Sequence, residues 1–306
     1  MKILVTGSTG LLGSAFKNIL GDNHIFHTRK DADLLDSKAT HEYLRYQIQD
    51  NGVNTVIHAA AIVGGLQANL DGNDRFFEEN LRINSNVLNS CFDLRVDNFV
   101  NILSTCIFPH EGITYPLTKD QIDNGPPHPS NSGYAYAKRL GGHQTKILGE
   151  VLEKNWFSVV PTNLYGPNDN FNLRTSHLVA GMIHRAYLCK RNNEKFTIWG
   201  DGSPLRQFIY AEDLAKMILW ALDNWNSNDH FMAVNIEELS VMDVANIICD
   251  LMEIPNEDII FDPNKPKGQF RKPAASDLEE FSFKPFKEGI KETIEWLKNN
   301  YDKARI

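Results

Sequence analysis

Short runs of β-branched and aromatic residues alternate along this chain with longer stretches of helical period. Lys2 to Thr6, His24 to His27, Thr55 to His58, Phe99 to Leu103 and Phe157 to Val160 read as strands. Ser14 to Leu20, Phe76 to Leu94 and Tyr134 to Leu152 read as the helices between them. Further helices are expected from Thr175 or Ser176 to Lys190, from Ala211 onward, over Val241 to Met252 and over Pro285 to Asn299, where Ile290, Ile294 and Leu297 keep the helical period. The Phe99–Leu103 run is apolar without alternation, as in a parallel strand covered on both faces. Strand–helix alternation predicts an α/β chain with a doubly wound parallel sheet.

Composition narrows the class. The 306 residues are 42% hydrophobic and 23% charged, an ordinary globular balance with material for a large core. A net charge of −8 and a pI near 5.7 argue against a general nucleic-acid or membrane-surface role. The opening apolar run is too short for a signal peptide and is broken by Gly7. No apolar run approaches a membrane span. Cys91, Cys106, Cys189 and Cys249 lie far apart with no CxxC spacing, so neither a metal site nor a disulfide framework is expected, and a reducing cytoplasm fits.

Candidate chemistry begins at Gly7-Ser8-Thr9-Gly10-Leu11-Leu12-Gly13, between the first strand and the first helix. This is the context of a dinucleotide loop: Gly7 for the tight turn, Gly10 for backbone approach to the pyrophosphate, Gly13 for close helix–strand packing. The fold is therefore expected to be Rossmann-type. After the second strand, Arg29 and Lys30 precede Asp31 and Asp33, an order that favours NADP over NAD. Small residues from Ala59 and Ala60 to Gly65 follow the third strand and suit either a cofactor or tight packing.

The fourth strand stops at Ser104-Thr105-Cys106, a reactive end where ligands of open α/β sheets bind. Tyr134 and Lys138 are four apart and share one helix face, whereas Tyr136 meets Leu140 at that spacing. A lysine charge there favours tyrosinate. Such a tyrosine gives a proton to a carbonyl oxygen as hydride arrives, with Ser104 as second donor. Asn80, Asn84 and Asn86 read as polar-face residues of their helix. With no repeats and no long linker, the segments should interleave. A dinucleotide domain is expected over 1–165 with a return over about 206–235, and a smaller C-terminal α/β substrate domain over 166–205 and 236–306.

With these segments in view, the whole chain resembles the extended short-chain dehydrogenase/reductase family. The specific stretches are Ala59 to Gly65, Ser104 to Pro109, Tyr134 to Lys138, Pro161 to Phe171 and Ser203 to Phe208. They are most similar to members that epimerise and then reduce GDP-4-keto-6-deoxy-D-mannose. The resemblance implies Cys106 as base and His177 as acid for inversion at sugar carbons 3 and 5. Tyr134 and Ser104 would hold the enolate oxygen, and NADPH would then reduce carbon 4. His177 is expected in the first turn of its helix, where the dipole lowers its pKa. The resemblance also implies cofactor contacts from the glycine loop, Arg29, Ala59, Ala60, Ile102 and Leu103, and from Pro161, Thr162, Asn163, Leu164 and His177. Substrate would meet Arg185, Trp199 and Arg206, with Lys267 of the basic run Lys265–Lys272 assisting. The family pairs its two long helices across a homodimer.

Two positions depart from some members: Thr9 stands in place of an arginine, and Ala275 in place of a substrate-contacting aspartate. His58, His110, His128 and His184 receive no role. Among rivals, a nucleotide-sugar dehydratase needs acids where Cys106 and Ile107 stand. A 4-epimerase needs no acid–base pair of this kind. A catalytically silent NADP sensor would have no use for an intact Ser104, Tyr134 and Lys138.

Overall fold

The computed structural model describes residues 1–263 and 270–306. β1 (Ile3–Thr6) enters α1 (Leu11–Leu20), followed by β2 (Ile25–Phe26), α2 (Ser37–Arg45) and β3 (Thr55–His58). Next come α3 (Leu66–Asp71), α4 (Asn73–Asp93), β4 (Asn98–Ile102), α5 (Ser132–Leu152) and β5 (Asn155–Pro161). The chain continues through β6 (Asn163–Tyr165), α6 (Leu178–Asn192), β7 (Phe196–Trp199), β8 (Leu205–Tyr210) and α7 (Ala211–Asn224). It ends with β9 (His230–Ala233), β10 (Glu238–Ser240), α8 (Val241–Met252), β11 (Ile259–Asp262) and α9 (Phe286–Asn300). The central sheet is parallel, in the order β2-β1-β3-β4-β5-β9. Strand order reverses at β1, which opens a crevice beyond the carboxyl ends.

Both sheet faces are covered, and side-chain alternation sorts the strands. Val5, Ile57, Val100 and Phe157 join Phe16 of α1 and Ile218 of α7 in one core. Leu4, Val56, Phe99 and Trp156 join Val87, Leu88 and Cys91 of α4 in another. Each such side chain contributes about 1.5–3 kcal/mol on burial. A separate core gathers Phe171, Ile183, Phe196, Ile248 and Ile290, beside the small sheets β10-β8-β6 and β11-β7. β8 stands between the two: Ile209 belongs to the first core, Phe208 and Tyr210 to the separate one. Among the described residues, no helix is long and apolar enough to cross a membrane.

Several local expectations change. α2 was not expected: it buries only Thr40 and Leu44, too few positions to register as a period, and is started by the Asp36 carboxylate accepting from Ala39 N–H. Asn80 and Asn84 are buried rather than solvated. Asn80 bonds both the N–H and the carbonyl of Ile62, and so fastens the loop after β3. Asn84 bonds the His58 ring, which also meets Thr6 Oγ1 at 2.8 Å. Asn86 Nδ2 donates to Leu34 O. Burial lowers the His58 pKa to about 3, so this imidazole is a neutral strut.

Candidate active site

The glycine loop is shaped by its own packing. Gly7 has φ +69°, and a Cβ there would sit 2.8 Å from Ala60 Cα. A Cβ on Gly13 would lie 2.3 Å from the Gly7 carbonyl. Gly10 caps α1 without a side-chain hydrogen bond and no acid follows in the first turn, so the start of the helix suits an anion. Ser8 does not reach the cavity wall: it is buried, and its N–H goes to His27 O.

Beyond β4 the chain tightens into a 3₁₀ turn, Thr105–Ile107, whose cap is Ser104. Ser104 Oγ accepts from Cys106 N–H at 3.2 Å, which orients the hydroxyl and carries the thiol beside it. From α5, buried Lys138 donates Nζ to Ile102 O at 2.8 Å and stands 6.0 Å from the Tyr134 ring centroid. Gly133 holds the start of α5 against α4, its N–H donating to Asn73 Oδ1 at 2.7 Å. Burial, followed by the charge of a Cys106 thiolate, pushes the Tyr134 phenol up, and burial lowers Lys138 to about 8. Tyr134 is thus a protonated donor, because desolvation disfavours its charged form.

His177 is the N-cap residue of α6 rather than a member of its first turn. It is exposed toward the cleft it lines, and desolvation lowers its pKa. Arg185, two turns on, lies 5.5 Å from the Trp199 ring centroid, with its Nε unpartnered and its pKa lowered by burial to about 10. Arg206 on β8 donates to Leu205 O and Phe270 O.

A single cavity of about 1000 Å³ joins these parts. Its wall takes in the glycine loop except Ser8, then Arg29, Ala59, Ala60, Ile102 and Leu103. Ser104, Cys106, Tyr134, Lys138 and His177 line its middle, with Pro161 to Leu164 alongside. Arg185, Trp199 and Arg206 line the far end. Arg29 is paired with Asp33 at 2.9 Å, so the cation expected near the ribose already has a carboxylate neighbour. Lys267 and Lys265 lie outside the described residues; Lys272 of the same run lines the cavity, its pKa lowered by burial and that fall partly opposed by Cys106. His128 also joins the wall, as does Asp169, a buried carboxyl raised by desolvation to about 7. His128 has no sequence signal beyond its residue type, whereas Asp169 lies in the Pro161–Phe171 stretch without a role assigned to it there.

Residues 3–236 match the NAD dependent epimerase/dehydratase family. The chain belongs to that family. Its relatives include the GDP-L-fucose synthase of Dictyostelium discoideum, 41% identical, with 99% of this chain and 97% of the relative aligned. The probable GDP-L-fucose synthase of Drosophila melanogaster is 36% identical over 99% of both chains. Among solved structures, a GDP-L-fucose synthetase from Naegleria fowleri bound to NADP superposes with a TM-score of 0.91 at 37% identity, covering 99% of this chain and 94% of the other. The family match ends just after β9, the last strand of the central sheet, while the curated relatives extend through α8 and α9.

Proposed function

We infer that this chain is an NADPH-dependent epimerase and reductase that converts GDP-4-keto-6-deoxy-D-mannose to GDP-L-fucose. The observation that carries the reading is the one cavity in which a reductase group, Ser104–Tyr134–Lys138, meets a thiol and an imidazole suited to proton exchange. Relatives at this identity over the whole length support the same activity. The residues fit NADP: the N–H groups at the start of α1, which has no side-chain cap, would hold its diphosphate, and Arg29 on the cavity wall would meet a 2′-phosphate. When bound, the cofactor supplies hydride to sugar carbon 4.

The chain's own residues do the rest. Cys106 takes the protons of carbons 3 and 5 in turn, acidified by the neighbouring ketone, and between the two inversions the thiol releases its proton to solvent and His177 regains one from it. His177 returns protons from the opposite face; a lowered pKa makes its charged form the stronger acid. Ser104 and Tyr134 hold the enolate oxygen by hydrogen bonds, and a phenol kept neutral by burial is the right donor. After epimerisation Tyr134 releases its proton to that oxygen as hydride reaches carbon 4. Lys138, anchored on Ile102 O, offsets the resulting tyrosinate charge. Arg185 and Arg206 hold the diphosphate of the nucleotide-sugar, and Trp199 stacks the Arg185 guanidinium in place. Lys272 adds a cation beside the thiol.

The same reading divides the chain into a dinucleotide half, 1–165 with 206–235, and a substrate half, supported by the separate cores. It assigns a homodimer through α4 and α5, whose outer faces expose Phe77, Leu140, Ile147 and Val151. It also assigns a reducing cytoplasm, supported by four free thiols. The test is incubation in deuterated water with NADPH and GDP-4-keto-6-deoxy-D-mannose. GDP-L-fucose carrying deuterium at carbons 3 and 5 is expected; a reduced but undeuterated sugar would remove the epimerase half.

A further inference from the structure

Beside the main cavity lies a smaller one of about 380 Å³, walled by Thr9, Asn168 and Asp169, by Trp296 and Asn300 of α9, and by Lys303 and Arg305. Thr9, Asp169 and Arg305 line both cavities, so the two meet at the glycine loop. The last residues reach this place by main-chain pairing: Phe171 N–H donates to Arg305 O at 2.8 Å, and Asn170 bridges Arg305. The Arg305 guanidinium donates to Asn168 O at 2.7 Å. Asn168 has φ +64°, which turns the chain just before Asp169. Asp169 is 4% exposed; its Oδ1 accepts from Asn170 N–H, and its Oδ2 has no partner.

Two cations and one carboxyl that is already costly to ionise leave this annex attractive to an anion. The nearest anionic groups in the proposed reaction are the phosphates of the dinucleotide. We propose that the annex is a phosphate-binding extension of the dinucleotide site, in which Arg305 and Lys303 meet a cofactor phosphate across the glycine loop from α1. Asp169, buried within reach of the Arg305 charge, competes with that phosphate for the guanidinium. This rests on the dinucleotide reading above and adds a site made by the far end of the chain.

A phosphate that draws Arg305 away from Asp169 favours the protonated carboxyl. Burial raises Asp169 to about 7 and the Arg305 charge opposes that rise, so binding tightens as pH falls through this range. The charged groups beside Asp169 in this annex are Lys303 and Arg305, and Thr9, Trp296 and Asn300 are uncharged. Arg174 and His177 line the larger cavity, and His177 stays below its usual range.

The experiment is calorimetric titration of the full chain with NADPH and with NADH. Arg305→Ala should weaken NADPH binding about tenfold, the scale of one charge-assisted hydrogen bond to phosphate. Equal losses for NADPH and NADH assign the diphosphate; a larger loss for NADPH assigns the 2′-phosphate. Arg305→Lys, which keeps the charge and the main-chain pairing, should recover most of the affinity. Lys303→Ala should show a smaller loss. Affinities within twofold of the parent for both cofactors in Arg305→Ala overturn the proposal, as does an Arg305→Lys variant as weak as the alanine one. Asp169→Asn should flatten the change in NADPH affinity between pH 6 and 8; an unchanged slope removes the competition between Asp169 and the phosphate for Arg305. A parent chain that binds neither dinucleotide defeats the broader reading and this one with it.

Discussion

Gly65 donates its N–H to the carbonyl of Thr175 at 2.8 Å, and a Cβ on Gly65 would lie 2.2 Å from the carbonyl oxygen of Ser176. The loop after β3 thereby presses directly on the residues that precede His177. Small residues at this strand end serve the approach of one backbone to another, which sets where the imidazole stands.

Gly65→Ala must displace backbone rather than a flexible side chain. The substitution should cost about 1–3 kcal/mol of stability. It should also reduce deuterium exchange into substrate more than it weakens NADPH binding. Thermal unfolding and isotope incorporation measured on one preparation check both; unchanged exchange would show that His177 does not depend on this contact.

The shared cavity predicts separable defects. Cys106→Ser should lose exchange at carbons 3 and 5 by about 10²–10⁴-fold, the range for one general acid–base group, while still binding cofactor. Tyr134→Phe should lose reduction most strongly. Single-turnover NADPH oxidation and mass spectrometry of the sugar distinguish the two, and normal epimerised product from the Cys106 variant would exclude the thiol as base.

Buried titratable groups predict opposing pH effects on stability. His58 and His230 have folded pKa values depressed to about 3 and about 4. The unfolded chain binds their protons first, so their contribution is full above about pH 6.5 and is lost as pH falls toward those values. Asp169 is raised, so its cost grows from about pH 4 to about pH 7 and then levels at roughly 4 kcal/mol. Asp169→Asn should therefore be more stable than the parent at pH 8 and nearly equal to it at pH 4. Urea unfolding at both values tests the sign.

Ile147 is 57% exposed and Val151 is 66% exposed on the outer face of α5, beside Leu140. Four residues separate Ile147 from Val151, so they lie on one stripe. Ile147→Glu should shift the proposed dimer to monomer in sedimentation analysis without lowering helix content. A parent chain that sediments as a monomer at micromolar concentration would remove this assignment.

Much of the sheet and half of the site were legible in residue order alone. β1 with its glycine loop, β4 leading to Ser104, and Tyr134 with Lys138 are local patterns: each depends on neighbours within a few residues, so periodicity and spacing carry them. Resemblance, not spacing, singled out His177, Arg185 and Arg206. What the tertiary structure decided depends on groups far apart in sequence. Asn80 and Asn84 are fasteners because β3, its loop and α5 meet there. Tyr134 is held neutral and Lys138 is weakened because a folded wall removes water from both. Asp169 becomes a buried carboxyl only when residues near 305 close over it. Sequence spacing determines which side chains share a strand end or a helix face; desolvation and long-range contact, which exist only after folding, determine their charge and what they touch.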